Sequence, residues 1–128
     1  MAPGFGRFGG EHEADRPPPF LMGLSLSDEQ QDKVFAIVHA AAPALRDQSK
    51  AARKARDALR ESVQSAQFTE ANATQLAQAQ GKAEAQLALL RTRMEHEIYF
   101  LLTTEQRARI VDRERERESH RGDRPPEF

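Results

Sequence analysis

The sequence predicts an all-α protein of about four helices that buries its apolar faces against a second copy of itself. Three observations carry this. Apolar residues recur at helical period through most of residues 23–118. The composition is too poor in large side chains to fill a two-layer core. The phrase Leu-Ser/Thr-x-x-Gln, a helix-start device, occurs twice, as Leu26-Ser27-x-x-Gln30 and Leu102-Thr103-x-x-Gln106.

The chain of 128 residues has room for one domain. Charged residues make up 30%, apolar residues 38% with alanine prominent, and aromatic residues only 6% with no Trp. With a mean hydropathy of -0.74, such a chain is soluble and thinly apolar, which favours burial of helix faces between two copies. The formal net charge of -1 provides no global field for nucleic acid or an anionic membrane surface, so neither is expected as a partner. Cysteine is absent, which excludes disulfides and thiolate metal sites and leaves the redox compartment open. No apolar run reaches the length of a membrane span. The opening MAPGFGRFGG lacks the apolar core of a secretory signal, so an exported protein would be represented here in its mature form.

Residues 1–22 hold most of the glycines and four of the seven prolines, so they read as a disordered segment, with Phe20, Leu21 and Met22 as an apolar cluster able to dock. The helical domain spans residues 23–118, and residues 119–128 read as a disordered tail. Ser27 begins the first helix as an N-cap, Asp28 and Glu29 suit the positive end of its dipole, and Gln30 at N3 can reach back to the cap N–H. The helix continues through Val34, Phe35, Ile37 and Val38. Pro43 lacks a backbone donor and disfavours helical geometry at Ala42, so a kink or break is expected there, with a second helix resuming from Ala44. The pattern lapses near residues 65–68, and Thr69 with Glu70 starts the longest helix. There Leu76, Ala83, Leu87, Leu90, Met94, Ile98 and Leu101 form one apolar stripe. Thr103 caps the last helix, Ile110 and Val111 are its expected buried positions, and Arg113 with Glu116 and Glu114 with Arg117 are spaced to pair.

Capping accounts for the Ser or Thr and for the Gln of each phrase. It does not account for the leucine and glutamine recurring together at two starts.

The two phrases bracketing a long helix resemble the Spy/CpxP family of bacterial envelope proteins, known for a pair of LTxxQ motifs. The second copy, IYFLLTTEQ at 98–106, is similar to the family's Ile/Met-Tyr-x-x-Leu-Thr-Pro-Glu-Gln segment, with Thr104 in the usual place of proline. AQFTEANATQLAQAQGKAEAQLALLRTRM and PPFLMGLSLSDEQ are similar to the stretches that precede the second and first motifs. The likeness covers about residues 20–118. It implies a periplasmic protein built as a bent helical hairpin, paired antiparallel into a curved, cradle-like homodimer, with Leu26, Ser27, Gln30, Leu102, Thr103 and Gln106 locking the hairpin ends together. Members act as ATP-independent chaperones, as regulators of an envelope-stress sensor kinase, or in zinc and nickel/cobalt resistance.

Among these, a basic helix face points to the chaperone. Residues 44–64 carry six basic side chains against three acidic ones, and Arg46, Lys50, Arg53 and Arg60 share one face with Leu45 beside it. Long cations over thin apolar ground attract many unfolded sequences without demanding one. Arg91 and Met94 are expected to complete this client-binding surface. The alternative to a binding face is a solvated basic helix. For metal, His39 and His96 are the candidate ligands. Neither has an intrahelical partner at i+3 or i+4, and the consecutive residues of Glu95-His96-Glu97 point about 100° apart, so a site must be assembled across helices or chains. The expected function is therefore an ATP-independent periplasmic chaperone or stress adaptor for unfolded proteins. A metal-binding sensor or resistance accessory is the first alternative, and a regulator binding the periplasmic sensor domain of a histidine kinase the second. No catalytic constellation, phosphate loop or cofactor motif is present, so neither an enzyme nor a cofactor is expected.

Overall fold

A computed structural model describes residues 16–122. The order is a short 3-10 turn at Pro19–Leu21, then α1 (Asp28–Ser62), α2 (Glu70–Tyr99) and α3 (Thr104–Gly122), with no strand among the described residues. The described residues form three α-helices instead of four because α1 runs through Pro43 without ending. An internal proline costs a helix about 3 kcal/mol. The Pro43 side chain faces solvent while Val38, Ala42 and Leu45, each 2% exposed, are sunk on the opposite side. Burying Val38 and Leu45 contributes roughly 1.5–3 kcal/mol each, enough to offset the missing backbone bond.

At its far end α1 unwinds through three successive short-range bonds, Val63 N–H to Arg60 O, Gln64 N–H to Glu61 O and Ser65 N–H to Ser62 O, of 3.1–3.2 Å. Thr69 then restarts the chain, its hydroxyl accepting from Asn72 N–H at 3.2 Å. The short connection folds α2 back antiparallel on α1, so that Ser49, Ala52, Arg53 and Arg56 line one groove with Glu84, Leu87, Ala88 and Arg91.

The two ends of this hairpin are packed differently. At the base, Leu21, Val34, Val38, Leu45, Met94, Ile98, Leu102 and Ile110 form one cluster, with Leu26, Ile37, Leu87, Leu90, Tyr99 and others against it. Toward the tip only alanines are buried: Ala52 and Ala55 from α1 and Ala83 from α2. Methyl groups let two helices approach closely but bury little area per residue. Val63 and Phe68 at the tip stay largely exposed. The stripe expected along α2 does face inward, from half-buried Leu76 to fully buried Ile98.

Of the two expected tails, the structure describes residues 16–22 and 119–122. Residues 1–15 and 123–128, which carry the rest of each, lie outside the described residues. Leu21 is 1% exposed and belongs to the core, so the chain is already fixed there. Arg113 of α3 secures it: the guanidinium donates to the carbonyl oxygens of Phe20, at 2.6 Å, and Met22. This replaces the expected pairing of Arg113 with Glu116 as its role. Gly23 turns the strap with φ of +81°, a left-handed value that costs glycine little. Phe20 meets Tyr99 edge to face at 6.1 Å between centroids. At the other terminus α3 continues four residues into the expected tail, to Gly122. His120 and Arg121 lie in its last turn, where positive charge suits the dipole, and His120 Nδ1–H donates to Glu116 O at 2.7 Å.

Leu21→Ala should lower the unfolding free energy by about 2–5 kcal/mol in a urea titration followed by circular dichroism. Met22→Ala, at a position 72% exposed, should change it by no more than about 0.5 kcal/mol.

Candidate functional site

The two repeated phrases meet at the base of the hairpin. Each first builds its own capping box: Ser27 Oγ accepts from Gln30 N–H (3.1 Å) and Gln30 Oε1 from Ser27 N–H (3.0 Å). Thr103 Oγ1 accepts from Gln106 N–H (3.1 Å) and Gln106 Oε1 from Thr103 N–H (2.8 Å). The boxes then join. Gln30 Nε2 donates to Gln106 Oε1 at 2.8 Å, and Gln106 Nε2 donates to Gln30 Oε1 at 3.2 Å. The remaining proton of each amide goes to the carbonyl two residues before the other cap: Gln30 Nε2 to Leu101 O (3.1 Å) and Gln106 Nε2 to Ser25 O (2.7 Å).

The arrangement has a local two-fold symmetry, and each amide fills two donor and two acceptor positions, which is the whole capacity of a glutamine side chain. The network also fixes the amide orientation, since a flip would set oxygen against oxygen. The leucines complete the device. Leu102 is 3% exposed and Leu26 packs against the same cluster, so the residue before each cap anchors the box to the core. This is why leucine and glutamine recur together across a separation of 76 residues.

Above this base, the two flanks of the hairpin define an open groove of about 410 Å³. Arg53 and Arg56 project from α1 and Glu84, Ala88 and Arg91 from α2, over Ser49, Ala52 and Leu87. Its ground is thin because Ala52 and Ala83 bring the helices together here. Arg46, Lys50, Arg53 and Arg60 are all exposed on α1, as the basic face requires, and Arg91 stands half-buried across from Arg53. Two residues expected in the client surface are elsewhere. Leu45 and Met94, 2% and 7% exposed, lie in the core cluster. One helical step of about 100° separates Leu45 from Arg46, which is enough to turn it from the cationic flank into the interior. Arg56, Ser49 and Glu84 were missed as groove residues. Arg56 is one turn beyond Arg53 and could have been found by extending that spacing; Glu84 required the pairing of the helices.

His39 and His96 point outward. His39 stacks on Phe35 at 5.7 Å between centroids and His96 meets Phe100 at 4.8 Å with the rings tilted by 58°, each one turn along its own helix, and both are exposed. Among the described residues no group of three or more His, Asp or Glu side chains is placed to hold a metal ion. No described helix is long and apolar enough to cross a membrane.

The family model for heavy-metal resistance matches residues 1–119. The chain belongs to the heavy-metal resistance family. That family sits within the Spy/CpxP-like helical clan, so the resemblance carried by the two capped phrases holds at the level of the clan. No curated protein and no solved structure matches the chain.

Gln30→Glu tests the amide pair through pH. An ionised carboxylate at this position faces Leu101 O and Gln106 Oε1 without a proton to donate, whereas the acid form keeps one donor. Its folded pKa is therefore raised above the ordinary value of about 4.3. Stability relative to the parent should be retained below that value and lost as pH rises through the raised one. Melting temperatures between about pH 3.5 and 7.5 should show a widening deficit for Gln30→Glu and a flat one for Gln30→Ala.

Proposed function

We propose that this member of the heavy-metal resistance family is an ATP-independent periplasmic chaperone or stress adaptor that protects unfolded proteins, working as a homodimer. One observation carries the reading. Arg46, Lys50, Arg53 and Arg60 form a solvent-facing cationic row along the half of α1 whose partner face is built from alanine. Such a surface captures polypeptides by charge at long range and holds them weakly by aliphatic stems and methyl groups, so release needs no nucleotide. The thin tip also leaves apolar positions such as Val63 and Phe68 for a second copy to cover.

The family's description favours a second reading, a metal-binding accessory or sensor. In that case His39 and His96, both exposed, would ligate an ion together with a carboxylate from another protomer. Calorimetric titration with zinc, nickel or cobalt, repeated on His39→Ala and His96→Ala, decides between them. Micromolar binding abolished by either substitution supports the metal reading, and heats indistinguishable from dilution remove it.

The chaperone reading is tested with a reduced or heat-unfolded model client. The protein should suppress light scattering at a few-fold excess, with the effect falling as ionic strength rises. Joint reversal of Arg46, Lys50 and Arg53 to Glu should abolish suppression while leaving helicity unchanged. Full suppression by that variant would overturn the proposal.

A further inference from the structure

Resting on that reading, we infer that the groove between α1 and α2 is a seat for extended polypeptide segments in which carboxylate side chains alternate with small apolar ones. Arg53, Arg56 and Arg91 border it together with the carboxylate of Glu84, and the Asp57 carboxylate lies 3.7 Å from Arg56 Nε. A guanidinium fork matches a carboxylate in plane and reach, and it is more weakly hydrated than an ammonium, so it binds anions where water is partly excluded. Arg53 and Arg56 are one turn apart on α1, and Arg91 borders the same groove from the antiparallel helix. Side chains at i and i+2 of an extended chain share one face about 7 Å apart, so acids at alternate positions meet the guanidinium groups together while the small residues between them turn to the floor.

Between the guanidinium groups the floor is Ala52, Leu87 and Ala88. This favours a polypeptide over a bare anion, because methyl and isobutyl groups gain nothing from phosphate but cover small apolar side chains. It also favours a polypeptide over nucleic acid: no aromatic ring borders the groove to stack a base, and the chain's net charge of -1 offers no wider field for a polyanion. Glu84 closes the end nearest Arg56 and repels a further acid there. It limits how much negative charge the seat accepts and favours a cationic or neutral residue at that end.

The test uses the full chain and three fluorescent peptides of equal length, alternating Asp, Lys or Ser with Val, titrated by anisotropy. The Asp-Val peptide should bind at least about tenfold tighter than the Lys-Val peptide. Arg53→Gln with Arg91→Gln should erase that preference, Arg109→Gln with Arg115→Gln, exposed on α3 outside the groove, should change it less than about threefold, and Glu84→Gln should tighten Asp-Val binding. Equal affinities for the three peptides, an equal loss from the outer pair, displacement by equimolar inorganic phosphate, or tighter binding of a single-stranded oligonucleotide would each overturn the inference. Aggregation suppression without charge preference would defeat this inference alone. Charge-selective peptide binding without aggregation suppression would defeat the chaperone reading alone.

Discussion

The reciprocal amide pair of Gln30 and Gln106 is the constraint on which the rest of the structure depends. It connects the start of α1 to the start of α3, and the carbonyls that complete it belong to the strap before α1 and to the turn after α2. Four chain segments are therefore fixed at one point. A neutral hydrogen bond contributes about 0.5–1.5 kcal/mol net, but a half-buried amide stripped of its partner loses more than that, about 1–3 kcal/mol. The pair thus acts more by penalising misassembly than by adding stability. Leu26 and Leu102 tie it to the apolar cluster, and Arg113 repeats the same logic on the neighbouring strap by holding two main-chain carbonyls.

With the base fixed in this way, the tip is free to be thin. Large side chains concentrate in the cluster from Leu21 to Ile110, and the opposite half of the hairpin is held by Ala52, Ala55 and Ala83. Alanines leave little bulk between the helices, so the arginines on either flank stand over a methyl-lined trough. Structure and proposed role share a cause here. The residues that would have filled a conventional core are absent, and that absence creates a surface with charge at its edges and weak apolar contact at its floor. A surface of this kind suits brief capture guided by charge better than tight binding.

Much of this was legible in the residues. Ser27, Thr69 and Thr103 announced all three helix starts because capping is a local interaction written in adjacent side chains. The stripe from Leu76 to Leu101 announced the inner face of α2 by period alone. The failures are cases where distant packing overrode a local rule. Pro43 breaks helices in isolation, yet Val38, Ala42 and Leu45 bury enough to carry α1 through it. Leu21 sits in a Pro-rich, aperiodic stretch, and its burial depends on Arg113, which is 91 residues or more from the carbonyls it binds. Leu45 and Met94 lie close to Arg46 and Arg91 along the chain but turn into the core, a direction that proximity in sequence does not fix. The half of the amide network that joins the two helix starts could not be deduced from capping; only the recurrence of leucine with glutamine hinted that the two starts shared a further purpose.

The most direct test is a double-mutant cycle on Gln30→Ala and Gln106→Ala, read as unfolding free energy in urea. If the two amides complete one another, each single substitution strands its partner and the double substitution costs much less than the sum, with a coupling of at least about 1 kcal/mol. Effects that add to within about 0.3–0.5 kcal/mol would show two independent helix caps, and the account of a single lock joining the ends of the hairpin would be wrong.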